Sequence, residues 1–391
     1  MRTTLSPAFT GSKMRRMMPF MTEISGNIIK YLQEHSSEDV DVEDVVRRYT
    51  NDVIASAGFG LQIDSLKDKD NEFYKTGLNL FKFNILQRFY FFFTALFPNF
   101  SKKLGINLFP QKTTQFFRDL VNCTIEHRKK NNIERPDMIQ LLMEASKGSL
   151  KAENEGNDNF TLEGDTFKPK AVQREWTQSD LASQVFVFFV AGYETSANAV
   201  VMCVHELALH PEVQEKLYQE IISFKEQHGE LTYDNLNVLK YLECVLNETS
   251  RKWAGAIIMD RVCNKEYELP PPREGAKPVK LNPGDVVYNM VNSIHMDPLY
   301  HPDPEKFDPE RFSDENKHNI KPFTFMPFGM GPRICIGSRF AMMELKVLLY
   351  NLVLNFKIVK CEKTVEPIVL KPHEFNIKVK GGTWVRLEPR I

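Results

Sequence analysis

At 391 residues with 42% hydrophobic content, the chain can bury a large core and reads as globular, which excludes a disordered chain. A formal net charge of −1 gives no electrostatic reason to expect nucleic acid. Its six cysteines are irregularly spaced and form no metal pair or disulfide framework, which suits a reducing, cytosol-facing environment; no signal peptide, spanning segment or repeat is predicted.

Phe81 to Phe100 is the first unusual stretch, with the dense run Phe89-Tyr90-Phe91-Phe92-Phe93 and then Phe97-Pro98-Asn99-Phe100. Core aromatic packing is one reading of it. Ser146 to Glu175 is rich in Lys, Glu, Asn and Gly, and reads as a flexible surface connection within a single domain spanning 1–391. Thr177-Gln178-Ser179-Asp180 then gives a helix start, a hydroxyl cap with an acid three residues on. It leads into a run from Leu181 to Thr195 that is too apolar for a surface helix and too interrupted for a membrane span, so a buried central helix fits best. Within it, Ala191 and Gly192 leave room for a ligand, while Glu194 and Thr195 offer an acid and a hydroxyl that can relay protons.

Glu248 and Arg251 stand three residues apart on one face of a helix predicted from near Asn237. Gly255 is expected to end that helix by a left-handed cap. Further on, Pro327-Phe328-Gly329-Met330-Gly331-Pro332-Arg333-Ile334-Cys335-Ile336-Gly337 is a loop suited to present one thiolate. Glycines and prolines set a tight turn whose N–H groups can point at sulfur. From Gly337 the pattern turns helical, with Phe340, Met343, Val347 and Tyr350 on one face, so Cys335 lies just ahead of a helix N-terminus that favours an anion. A thiolate there reads as an axial haem ligand, because sulfur pushes electron density toward the O–O bond of dioxygen. The other five cysteines read as small buried hydrophobes. Pro367 to Leu387 alternates like strands broken by Gly381-Gly382, consistent with a hairpin.

The Cys loop resembles the haem-binding loop of the cytochrome P-450 superfamily, F-x-x-G-x-R-x-C-x-G, at Phe328, Gly331, Arg333, Cys335 and Gly337. Ala191-Gly192-Tyr193-Glu194-Thr195 resembles its oxygen-binding element, A-G-x-[DE]-T. Glu248 and Arg251 resemble its E-x-x-R pair, closed by the Arg of a P-E-R-F segment, here Arg311, and expected to be structural. Two departures stand out. Lys252-Trp253-Ala254-Gly255 replaces the usual K-W-P-P, with Ser250 where relatives carry Leu, and Met1-Arg2-Thr3-Thr4-Leu5-Ser6-Pro7-Ala8-Phe9-Thr10 resembles the middle of a W-x-x-x-R…L-S-P-x-F segment whose Trp has no counterpart.

The resemblance implies a mainly α fold with small β-sheets, a cytochrome P-450 fold lacking its N-terminal anchor, first strands and first helices, closest to insect microsomal members that oxidise foreign compounds. It implies heme b (iron protoporphyrin IX) on Cys335, propionates held by Arg2, Arg261 and Arg333, and the loop positions Phe328 and Gly337 against the cofactor. Glu194 and Thr195 would be catalytic, and Phe186, Phe189, Ala191, Ile257 and Ile258 would touch an apolar small-molecule substrate. The turn near Lys371 to Asn376 would reach into the pocket. Electrons would come from NADPH through a flavoprotein NADPH-cytochrome reductase, at the cytosolic face of the endoplasmic reticulum membrane, with part of Phe81 to Phe100 lying in the membrane interface. Two other readings remain open: a non-catalytic fragment that binds haem weakly, and a thiolate-haem isomerase that uses no dioxygen.

Overall fold

The computed structural model describes residues 5–82, 84–147, 176–372, 374 and 377–390. They fall into two compact units, one spanning Lys240–Cys335 and the other the flanking segments, Met1–Leu239 with Ile336–Ile391.

In the larger unit, α1 (Gly11–Glu34) buries Met14, Met17, Met18, Met21, Ile28, Ile29 and Leu32, a recurrence at three and four residues that lines one face of a helix. Helix α2 (Val42–Ile54) starts under Asp41, whose carboxylate accepts the Glu43 N–H, and carries Glu43 and Asp44 where the helix dipole favours acids. Helices α3 (Glu72–Leu80), α4 (Ile85–Leu96), α5 (Pro98–Lys103), α6 (Gln111–Asn131) and α7 (Met138–Ser146) follow. The central helix is α8 (Gln178–Leu209), capped as expected by reciprocal bonds between Thr177 and Asp180. It packs against α2 and α6, and α9 (Pro211–His228) follows it.

The expected connection at 146–175 lies outside the described residues beyond Lys147. The aromatic run does not form core. Its helix α4 is closed by a capping box between Asn84 and Gln87 yet buries none of its side chains, and Ile85, Phe89 and Phe92 are 88%, 60% and 63% exposed. The aromatic core of this unit is built instead from Phe59, Phe73, Phe117, Phe189 and Tyr193, with the Phe117 and Phe189 rings 4.6 Å apart.

The expected hairpin about Gly381-Gly382 is also corrected. Lys371 and Lys380 donate to Lys378 O and Val369 O, each at 2.7 Å, so that chain closes on itself around the Leu370–Val379 bridge. The glycine pair, at φ 100° and 86°, then turns the chain out into a separate strand. A Cβ on Gly382 would lie 2.9 Å from the Trp384 ring nitrogen. In chain order the strands of this unit's sheet are β1 (Asp39–Asp41), β6 (Phe356–Val359) and β7 (Trp384–Pro389), with β7 central and antiparallel to both; Val40 faces Val385 and Ile358 faces Leu387. The C-terminal helix α12 (Ser338–Asn355) packs on α1, joined by an Asn351 to Ser25 hydrogen bond of 3.1 Å.

The smaller unit begins with α10 (Lys240–Lys252). Two antiparallel pairs follow, β2 (Met259–Val262) with β5 (Val286–Asn289) and β3 (Tyr267–Leu269) with β4 (Val279–Leu281), then the short helix α11 (Val291–His295). Ala254, Val291 and Met326 make its small apolar centre. Gly255 is not in the left-handed region, and α10 ends at Lys252, so the expected glycine cap is absent; the Trp253 N–H closes the last turn on Thr249 O at 2.8 Å.

Candidate active site

In the smaller unit, the Cys335 loop is fixed by its own backbone. The Cys335 N–H donates to Phe328 O at 2.8 Å, the Ile334 N–H to Gly331 O at 2.9 Å and the Gly329 N–H to Met326 O at 3.1 Å. Gly329 and Gly331 take φ of 76° and 70°, which side chains resist, and a Cβ on Gly329 would stand 3.3 Å from Met259 Sδ. The Cys335 amide is therefore spent on Phe328 O. Phe328 is half-buried, while Cys335 and Arg333 are exposed. Arg261 on β2 is exposed as well, and donates to Asp260 O at 2.7 Å. Ile257 and Ile258 are half exposed, at 51% and 49%.

Behind that loop in sequence, Glu248, Arg251 and Arg311 come together. Arg251 clamps Glu248 through Nε and Nη2 at 2.7 and 2.8 Å, and donates to His295 O and Pro304 O at 3.0 and 2.7 Å. Glu248 also accepts the Asp308 N–H at 2.9 Å and lies 3.4 Å from Arg311 Nε. Both charges of the central pair are fully buried. Nearby, His295 accepts the Met326 N–H at 2.9 Å through Nε2; burial, helped by the charge of neighbouring groups, pushes its pKa down to about 4 and keeps it neutral. These bonds hold α10, α11 and the segment leading to the Cys loop in one piece.

In the larger unit, α8 presents Val187, Ala191 and Thr195 on one exposed stripe, four residues apart. Thr195 Oγ donates to Ala191 O at 2.5 Å, and the residue is exposed. Glu194 lies a quarter-turn round, buried, with its carboxylate ion-paired to Arg47 of α2. The two residues expected to act together thus point to different faces. Gly192 does not make room for a ligand: its Cβ would come within 2.8 Å of Ile54 Cδ1, so it lets α8 approach α2. Phe189 is fully buried against Phe117 and Tyr193, which removes it from the substrate contacts expected above, while Phe186 is half-buried beside Phe109.

Arg2 and Asn376 lie outside the described residues. Gly337 sits at the start of α12, where a Cβ would be 3.9 Å from the Phe9 ring. Of the remaining cysteines only Cys203 and Cys244 are buried; Cys123 is exposed and Cys263 and Cys361 are half-buried. Sequence reasoning missed Arg47, whose only local signal is its spacing of four from Glu43, and Glu344 of α12, a fully buried acid beside Ser196.

The family model for cytochrome P450 matches residues 1–384. The chain belongs to the cytochrome P450 family. Cytochrome P450 9e2 of Blattella germanica is 42% identical over 408 residues, covering 100% of this chain and 74% of that protein. A probable cytochrome P450 9f2 of Drosophila melanogaster is 42% identical over 396 residues, covering 100% and 73%. Cytochrome P450 6k1 of Blattella germanica is 34% identical over 385 residues, covering 98% and 72%. Membership in the cytochrome P450 family brings a haem cofactor and monooxygenase chemistry, and the mainly helical architecture with small antiparallel sheets agrees with it. The donor set fits that cofactor: an exposed thiol on a backbone-locked loop, with the exposed cations Arg261 and Arg333 in the same unit.

Proposed function

We propose that the chain acts as a single haem-binding domain, a haem-thiolate monooxygenase that inserts one atom of dioxygen into an apolar small molecule. The second oxygen atom leaves as water, and two electrons and two protons are consumed; the electrons come from NADPH through a flavoprotein reductase. The observation that carries this reading is the exposed Cys335 on its hydrogen-bonded loop. Bound haem supplies the activation of dioxygen.

The chain's own residues do the rest. Cys335 would hold the iron as a thiolate, and Arg261, Arg333 and Arg2 would hold the propionates. Thr195 passes a proton through its hydroxyl, whose own hydrogen rests on Ala191 O and which can accept another. Glu194, next to it in sequence, is the proton source once Arg47 loosens its hold. Phe186, Ala191, Ile257 and Ile258 present apolar surface to substrate; Phe186 is half-buried and the other three are exposed. The exposed apolar face of α4 supports association with a membrane surface, the cytosolic face of the endoplasmic reticulum.

The test is reconstitution of the haem-loaded chain with a flavoprotein reductase in phospholipid vesicles, supplied with NADPH and an apolar probe. Labelled oxygen from dioxygen should appear in the product. Haem-loaded protein that oxidises NADPH but transfers no label would overturn the reading.

A further inference from the structure

In the smaller unit, two buried histidines grip the segment that leads into the Cys loop. His301 Nε2 lies 3.0 Å from Thr324 O and must donate to it, because a carbonyl oxygen only accepts; His295 Nε2 lies 2.9 Å from the Met326 nitrogen and must accept its N–H. A neutral imidazole has one donor and one acceptor nitrogen, so these bonds fix opposite tautomers: His301 carries its proton on Nε2 and His295 on Nδ1. The two rings stand 6.3 Å apart, nearly edge to face. The grip acts where the backbone is least at ease. The Thr324 N–H closes a turn on Lys321 O at 3.2 Å, with Pro322 second and Phe323 third in it, and Phe323 takes φ 67°, where glycine is usual. From there the Gly329 N–H donates to Met326 O at 3.1 Å and the Cys335 N–H to Phe328 O at 2.8 Å, while on the other side Arg251 Nη1 donates to His295 O at 3.0 Å. One run of bonds thus leads from buried Arg251 through His295 and Met326 to the loop that carries the thiol.

We propose that His295 and His301 are positioning residues for the haem-binding loop: held in opposite tautomers, they set where Met326 and Thr324 lie and so where Cys335 stands. The inference rests on the reading of Cys335 as the residue that holds the iron. A second proton on His295 would turn Nε2 into a donor facing the Met326 N–H, so the grip exists only while that ring is neutral. Burial, helped by His301 and Arg251 and opposed by the Arg251 and Ser250 backbone, holds the pKa of His295 at about 4. His301 is lowered too, first by burial; Arg251 and Arg311 act with burial, and the Thr324 carbonyl and Glu248 against it. Unfolded, the His295 ring titrates near its ordinary 6.5, so the unfolded chain takes up a proton that the native one refuses. The native arrangement therefore weakens as pH falls from 6.5 toward 4, by up to about ten-fold in the native-to-unfolded ratio per pH unit.

The experiment has two readouts. The first needs no haem: long-range proton–nitrogen NMR of the full chain labelled with ¹⁵N-histidine at neutral pH, assigned by the signals lost in His295→Gln and His301→Gln. His295 should be protonated on Nδ1 alone and His301 on Nε2 alone. A shared tautomer, or a charged His295, would overturn the proposal. The second is the lifetime of the red-shifted Soret band in the reduced, carbon monoxide-bound, haem-loaded protein. His295→Phe keeps a flat ring but leaves the Met326 N–H without its acceptor, so the band should decay about ten-fold faster while helical circular dichroism is retained. His295→Gln, whose Oε1 can accept the same N–H and takes no proton, should restore the lifetime at neutral pH and lose less of it than the wild type as pH falls from 6.5 toward 4. It also serves if His295→Phe fails to fold. A band as lasting in folded His295→Phe as in the wild type, or one that shortens with acid as steeply in His295→Gln, would overturn the proposal. A haem-loaded wild type that never shows the band would overturn Cys335 as the ligand instead, and the tautomers would still decide whether the two histidines grip the segment.

Discussion

The Cys335 N–H and the Phe328 carbonyl oxygen meet at 2.8 Å, so the two residues that bracket Gly329, Gly331 and Arg333 are fixed to one another. The thiol is thereby carried on a closed backbone loop whose shape depends on two left-handed glycines. Gly329→Ala places a Cβ at φ 76° and 3.3 Å from Met259 Sδ. It should cost about 1–2 kcal/mol locally and lower haem retained after gel filtration, with little change in total helix content. Full haem retention in that variant would show that the loop can reshape without penalty.

Gly192→Ala should destabilise the larger unit by about 1–3 kcal/mol, because its Cβ would meet Ile54 Cδ1 at 2.8 Å. Ile54→Val removes the clashing methyl, so the double variant should recover most of the loss by urea denaturation. Strictly additive losses would mean that the two residues do not limit the approach of α2 to α8.

The legible parts of this molecule are the local ones. Thr177 and Asp180 sit three residues apart and cap each other, and the Cys loop reveals itself because its glycines, Arg333 and Cys335 act within one short stretch. Glu248 and Arg251 are likewise one turn apart, and the position of Arg311 follows from a motif. What the sequence does not show depends on distant partners. Arg47 meets Glu194 across 147 residues, Gly192 answers to Ile54, and Phe189 is drawn into an aromatic cluster supplied by three other segments. The aromatic run at Phe89 to Phe93 misleads for the converse reason: composition reports hydrophobicity, and only the fold decides that α4 buries none of its side chains.

Glu344 gives the larger unit a defined pH dependence. It is fully buried, and burial pushes its carboxyl up to about 8, against an opposing pull from the Ser196 hydroxyl. Between its ordinary value of 4.5 and about 8 the native chain keeps a proton that the unfolded chain has lost. Stability therefore falls as pH rises through that window, at up to about 1.4 kcal/mol per pH unit. Asp52, pushed up to about 6 mainly by burial, adds the same sign from 3.8 upward. Glu344→Gln keeps the shape and stays neutral, so its urea midpoint should fall less steeply with pH than that of the wild type. Parallel slopes would contradict a neutral Glu344 in the native state.

Thr195→Ala should leave haem binding intact and uncouple the reaction. NADPH would still be consumed, product per NADPH should fall by about ten-fold or more, and the balance should appear as hydrogen peroxide. Thr195→Ser, which retains the hydroxyl, should recover most of the coupling. An alanine variant as tightly coupled as the wild type would remove Thr195 from the proton route.

The most direct measurement of the central claim is the carbon monoxide difference spectrum of the reduced, haem-loaded chain beside that of Cys335→Ala. The wild type should show the red-shifted Soret band that a thiolate ligand gives, and the variant should lose it while keeping its helical circular dichroism. Persistence of that band in folded Cys335→Ala would contradict the assignment of Cys335 as the residue that holds the iron.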